Sequence, residues 1–174
     1  VGDEGTGGVM SAPRGPTAEQ MRDAQNMNAE DRRQMIEGMV AGLAVKLEEN
    51  PSDLQGWIRL ARSYNVLEQP MKARDAMARA AKVAPGNVNV LALYARTIRT
   101  VAGNKPTAAS AQIMERILTL DPDHVEALFF SGLAASGAGD KEKARRLWQK
   151  AKSNLPGKSP QRAALQRQID SLAE

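Results

Sequence analysis

The chain contains no cysteine. Disulfides, thiolate metal sites and thiol nucleophiles are therefore excluded, and cysteine usage gives no guide to the redox compartment. Histidine occurs once, at His124, so no imidazole-rich ligand set can be assembled, and no Ser/His/Asp set can be drawn. Aromatic residues are 3% of the total, too few to supply stacking platforms for nucleic-acid bases. No run of about eighteen apolar residues occurs, so no segment reads as a membrane span. No glycine-rich loop follows a strand pattern, because no strand pattern exists. These absences argue against an enzyme, a metalloprotein and a cofactor carrier. His124 lies in "DPDHVEA", beside Asp121, Asp123 and Glu126. That arrangement could be drawn as a metal site, but it reads as the start of a helix.

What is present is helical. Alanine, leucine, arginine, lysine, glutamine and methionine dominate the 174 residues, and β-branched residues seldom alternate with polar ones. Charge is divided unevenly. Residues 1–50 hold 5 Lys/Arg and 9 Asp/Glu, a net −4, and residues 51–174 hold 19 and 11, a net +8. A basic body behind an acidic arm suits an anionic or carboxylate-bearing partner, or self-shielding by the arm. The chain begins at Val1 rather than methionine, as expected of a fragment or processed form whose upstream signal or anchor is missing.

Residues 1–17, "VGDEGTGGVMSAPRGPT", are Gly- and Pro-rich and predict a flexible linker. Residues 18–50 predict an arm and a capping helix. Asn28 and Asp31 form a capping pair, and Met35, Ile36, Met39, Val40, Leu43 and Leu47 make one apolar face before Asn50-Pro51 ends the helix.

From Leu54 a repeat emerges. With Leu54 at position 1, Trp57 falls at 4, Leu60 at 7, Ala61 at 8 and Tyr64 at 11. Ala73 then falls at 20, Met77 at 24, Ala80 at 27 and Pro85 at 32. This is the tetratricopeptide repeat (TPR) pattern, in which large residues of helix A interlock with small residues of helix B. Prolines in the same role follow at Pro122 and Pro156. In the third unit Leu128, Gly132, Ala144, Trp148 and Ala151 recur at positions 4, 8, 20, 24 and 27. The second unit is degenerate, with Leu91, Tyr94, Ala95 and Ile98 in helix A and Ser110, Met114 and Ile117 in helix B. Its three extra residues lie in "AGNKPTA", with Pro106 expected at the first position of helix B.

The expected fold is all-α: a three-repeat TPR solenoid with an N-terminal capping helix and a C-terminal solvating helix. The repeats occupy 51–156 (about 54–87, 88–124 and 125–158), and 159–174 forms the last helix, carrying Leu165, Ile169 and Leu172. Eight helices are predicted. Trp57, Tyr64, Tyr94 and Trp148 are expected in the core.

Such a solenoid offers a concave wall of A helices, with positions 2, 5, 9, 12 and 13 facing inward. The first repeat contributes Gln55, Ile58, Arg62, Asn65 and Val66, and the second Asn89, Ala92, Arg96, Arg99 and Thr100. The third contributes Glu126, Phe129, Leu133, Ser136 and Gly137. Arg62 and Arg96 share position 9 and Arg99 follows one turn on, so guanidinium groups could clamp a carboxylate, including a free chain terminus. Ile58, Val66, Phe129 and Leu133 would floor the groove. The opposing reading is that these arginines pair with Glu126 or merely keep the surface wet.

Beyond generic repeats, "MIEGMVAGLAVKLEENPSDLQGWIRLARSYNVL" (35–67) and the preceding "TAEQMRDAQNMNAEDRRQ" resemble the periplasmic TPR domain of the c-type cytochrome biogenesis family CcmI/CycH. The lengthened second repeat and "MERILTLDPDHVEALFFSGLAASGAGDKEKARRLWQKAKSNLP" are similar to that family and its relative NrfG. Glu68 stands where a turn glycine is common, and Ser131 replaces a large residue. The resemblance implies a non-enzymatic chaperone module, tethered to the inner membrane by segments absent here. It would capture the C-terminal segment of apocytochrome c in the periplasm and pass it to the haem ligation proteins. No cofactor, nucleic acid or direct membrane contact is implied for this segment. The alternatives are a general scaffold holding another protein's C-terminus, and a basic surface binding nucleic acid or anionic lipid.

Overall fold

The computed structural model describes residues 28–173, which fall into two units, one ending at Met39 and one beginning at Val40. The expected linker at 1–17 and the turns at 18–27 lie outside the described residues. In the first unit Asn28 opens helix α1 (Ala29–Glu49). Its Oδ1 accepts from the Asp31 N–H at 2.8 Å, and its Nδ2 donates to the Asp31 carboxylate at 2.7 Å. Glu30 and Asp31 stand in the first turn, where the unpaired N–H groups favour negative charge. Met35 and Ile36 are half-buried and Met39 is exposed, so the apolar face expected along α1 is incompletely covered.

In the second unit α1 continues from Val40 and is followed by seven helices. These are α2 (Leu54–Val66), α3 (Pro70–Val83), α4 (Val88–Val101), α5 (Ala108–Leu120), α6 (Val125–Gly137), α7 (Lys141–Ser153) and α8 (Pro160–Asp170). A single 3-10 turn (Ser171–Ala173) ends the chain. All described residues belong to helices or their connections, with no strand, as the repeat spacing predicts. Each A helix starts from a polar residue just before position 1. Asp53 accepts from Gly56 N–H at 2.8 Å, Asn87 from Val90 N–H at 3.2 Å, and His124 Nδ1 from Ala127 N–H at 3.2 Å. Each cap satisfies a backbone donor that has no intrahelical partner.

The B helices start more variably. Pro70 occupies the first turn of α3, and Asp140 caps α7 by accepting from Lys143 N–H at 2.9 Å. Pro106 does not begin α5, contrary to expectation. Thr107 is the cap, its hydroxyl accepting from Ser110 N–H at 3.1 Å while Ser110 Oγ accepts from Thr107 N–H at 2.9 Å. This reciprocal pair satisfies two backbone donors at once, which proline at the first helical position would not do, so Pro106 is left outside the helix. Ser159 and Pro160 open α8 as expected, with Ser159 Oγ accepting from Arg162 N–H at 3.2 Å.

From α2 onward, packing proceeds from each helix to the next along the chain. Leu91, Ala95, Met114, Ile117 and Ala127 form one buried cluster, tying the second repeat to the third. Leu128, Ala144, Trp148, Ala151, Leu165 and Leu172 belong to another, tying the third to the terminal helix. At two glycines the packing is close. A Cβ on Gly132 would run into the Trp148 indole, and one on Gly56 would meet Leu47 of α1 and the Asp53 carboxylate. The first contact seats the largest core residue; the second seats the capping helix. Arg162 holds the far end together, donating through Nη1 to the carbonyls of Lys152 at 2.8 Å and Leu155 at 3.2 Å, which closes the C-terminal end of α7. No helix among the described residues is long and apolar enough to cross a membrane.

Candidate peptide-binding face

The inward positions of the A helices divide into three groups. Gln55, Arg62, Asn65 and Val66 of α2 and Asn89 of α4 are exposed, Val66 to 76%. Ile58 is buried and serves the core rather than a groove floor. Ala92, Phe129, Leu133 and Ser136 are half-buried, and Gly137 is exposed. Thr100 is exposed and donates its hydroxyl back to the Arg96 carbonyl at 3.1 Å. Arg62 makes no ion pair among the described residues.

Arg96 and Arg99 of α4 do converge, on Glu126 in the first turn of α6. Arg99 Nη2 donates to Glu126 Oε1 at 2.9 Å, and Arg96 Nη2 lies 3.6 Å from Glu126 Oε2. The two arginines differ sharply in environment. The Arg96 side chain is 63% exposed, whereas Arg99 is 5% exposed as a residue, contrary to the groove-surface place expected for it. Arg99 is held down because its guanidinium stacks 3.6 Å above the Phe130 ring. Phe130 in turn meets Phe129 edge to face, centroids 5.2 Å apart. Cation–π stacking and the ion pair together offset much of the cost of taking the guanidinium out of water. One edge stays unsatisfied: Arg99 Nη1 has no hydrogen-bond partner. The arrangement is two cations sharing one carboxylate.

Glu126 also stands at the lip of an apolar groove of about 630 Å³. Val125 and Phe129 form one wall, and Leu155, Pro156, Ala164 and Leu165 the other. The groove therefore needs α8, which the spacing of Leu165, Ile169 and Leu172 marks as a cap but not as a wall. Phe130 and this second wall are the parts that sequence reasoning missed. A residue three places from an inward position could have drawn attention to Phe130; nothing local marks the α8 wall.

The remaining candidates resolve into structure. His124 is engaged as the α6 cap, and among the described residues no group of three His, Asp or Glu could hold a metal ion. Trp57 and Trp148 are buried, their indole N–H groups donating to Pro51 O at 2.9 Å and Phe129 O at 3.0 Å. Tyr64 and Tyr94 are only half-buried, unlike the core places expected for them. Each lines a surface pocket, Tyr64 beside Lys72 and Arg79, and Tyr94 beside Lys82 and Arg116.

Comparison with known proteins places this face in context. Among solved structures, MamA shares the fold at TM-score 0.57 and 14% identity, over 84% of this chain and 94% of that one. The first TPR of RPAP3, solved with the HSP90 peptide SRMEEVD, gives TM-score 0.56 at 14% identity, over 70% and 94%. CycH of Rhizobium meliloti is 56% identical over 54 residues, 31% of this chain and 14% of the relative. CycH of Pseudomonas aeruginosa is 31% identical over 139 residues, 80% of this chain and 34% of the relative. CcmH of Escherichia coli is 24% identical over 131 residues, 75% and 37% respectively. The chain thus spans about a third or less of the length of these relatives. A family model described as the cytochrome c-type biogenesis protein H TPR domain matches residues 17–162. The chain belongs to that family, as a tetratricopeptide-repeat domain of the CcmI/CycH cytochrome c biogenesis proteins.

Proposed function

We propose that this domain is a non-enzymatic chaperone module that captures the C-terminal segment of an apocytochrome c on its A-helix face. It works in the bacterial periplasm and releases the segment to the haem ligation proteins. The observation that carries the reading is the Arg96–Arg99–Glu126 cluster at the lip of an apolar groove. A C-terminal segment that folds into an amphipathic helix presents the matching pair of features, an apolar stripe and a terminal carboxylate. Family membership supports the client class, because the relatives carry cytochrome c biogenesis in their names. The exposed polar residues Gln55, Asn65 and Asn89, with Val66, extend the face along the first two repeats. Reversible capture requires moderate affinity.

The test is a calorimetric titration of the domain with an apocytochrome c, its C-terminal peptide, and unrelated C-terminal peptides of equal length and charge. Saturable binding of the first two alone is expected. Equal binding of the unrelated peptides would replace the chaperone reading by a general C-terminus scaffold. Arg62→Glu with Arg96→Glu should weaken binding by about tenfold or more, because two cationic positions become negative and repel the client's carboxylate, with helical circular dichroism unchanged. Undiminished affinity in that variant would remove both arginines from the site.

A further inference from the structure

Glu126 is the one carboxylate that Arg96 and Arg99 share, and it also lines the apolar groove. It is a negative group fixed at the place where a bound segment would bring its own. Arg99 is poised rather than saturated: nine-tenths buried, stacked on Phe130, with Nη1 unbonded. Arg96 is only loosely attached to Glu126, at 3.6 Å and mostly in solvent. Two guanidinium groups on one carboxylate leave a net positive charge beside an apolar cleft. That charge is complementary to a peptide ending in a free carboxylate after apolar residues.

We propose that Glu126 is an internal surrogate for the client's terminal carboxylate, and that binding proceeds by exchange. The incoming carboxylate takes over the N–H groups of Arg96 and Arg99, Glu126 turns out to solvent, and the client's last apolar side chains enter the groove between α6 and α8. The exchange replaces one ion pair by another of the same kind, so the arginine bonds contribute little net affinity and the apolar groove supplies the driving force. Glu126 thereby sets affinity low and makes release easy. This inference rests on the peptide-binding reading, and adds to it the register of the peptide, the role of α8 as a wall, and an autoinhibitory carboxylate.

The experiment uses the whole domain and two probes, the apocytochrome c C-terminal peptide and an unrelated leucine-ended peptide, each as free acid and as amide. Glu126→Gln keeps an acceptor for Arg99 while removing the charge. It should tighten binding of the free acids by roughly fivefold or more, the low end of typical site coupling, and leave the amides unchanged. Equal tightening of acid and amide, or no tightening, overturns the surrogate role. Ala164→Trp, which fills the α8 side of the groove, should weaken acid and amide alike; unaltered binding would overturn the groove as the apolar subsite. Circular dichroism confirms that each variant folds. The two readings fail separately. If both peptides bind equally and Glu126→Gln still discriminates acid from amide, client specificity falls and the surrogate stands. If the apocytochrome peptide binds selectively without that discrimination, the surrogate alone falls. No binding of either probe overturns both.

Discussion

The first and third repeats fill the same helix–helix junction with different allocations of volume. At positions 8 and 24 the first repeat places Ala61 against Met77, both buried. The third places Gly132 against Trp148, where no Cβ can be accommodated on the glycine. One position earlier the allocation reverses. Leu60 is 2% exposed in the first repeat, whereas Ser131 of the third lines an open pocket of about 240 Å³ bounded by Ala111, Ala134, Ala135 and Ala138 and by the charged Glu115, Asp140 and Lys143. Ser131 Oγ is buried there without a partner. At the turn between helices the contrast is conformational. Glu68 and Gly139 share position 15, and both have positive φ, 57° and 83°. The third repeat meets that requirement with glycine, and the first does so with a residue that pays steric strain for it. Repeats of one fold therefore need not pack alike, and the third combines a glycine–indole fit with a stranded serine.

Breaking the Gly132–Trp148 fit should have the largest effect. Gly132→Ala forces the indole or the helix to shift and is expected to cost about 2–3 kcal/mol in urea denaturation. Adding Trp148→Met, which restores the allocation of the first repeat, should recover most of that loss; additive losses would mean the two residues are not coupled. Ser131→Leu, which copies Leu60, should gain about 1 kcal/mol by adding apolar contact at the base of this pocket and removing the stranded hydroxyl. A loss of stability would show that the site cannot take the volume. Glu68→Gly should gain about 0.5–1 kcal/mol by relieving the left-handed conformation, and Gly139→Ala should lose a similar amount.

The smallest effect concerns pH. Asp123, at the junction before α6, is held below its ordinary pKa by hydrogen bonds from Lys150 and Asn154 and by the Lys150 charge. A depressed carboxylate favours the folded state when ionised. Its contribution is complete above the ordinary aspartate value of about 3.9 and disappears as pH falls through the lower folded value. Asp123→Asn should therefore lower stability slightly at neutral pH and narrow the gap from wild type towards pH 3. The measurement is thermal unfolding across that range. A gap that is constant with pH would deny Asp123 the role.

The helices were legible because their signals are local. Asp53, Asn87, Asp140 and Ser159 cap helices three residues ahead of them, a relation any short window contains. The repeat register also predicted burial at positions 4, 8, 24 and 27 from periodicity alone. The capping role of Thr107 was overshadowed by Pro106, because proline is the louder signal while the Thr107–Ser110 exchange satisfies more backbone donors. The candidate site was legible in part. Position counting found Arg96, which is exposed and pairs with Glu126, and Phe129, which lines the groove, and Glu126 was recognisable as a competing partner for the arginines. Position counting failed for Ile58 and Arg99, which hold inward positions yet are buried.

By itself the amino-acid sequence determined the all-helical class, the repeat register and the family, since each depends on spacing along one or two helices. The tertiary structure alone decided which arginine is exposed and which is sunk. It also decided that Glu126, 27 residues from Arg99, holds both, and that α8 walls the groove. Those outcomes depend on how far each helix is rotated against the next, because a few degrees carry a long side chain from water onto a ring. No single stretch of sequence encodes that rotation; it is set by the summed volumes of residues such as Gly132 and Trp148 at every junction.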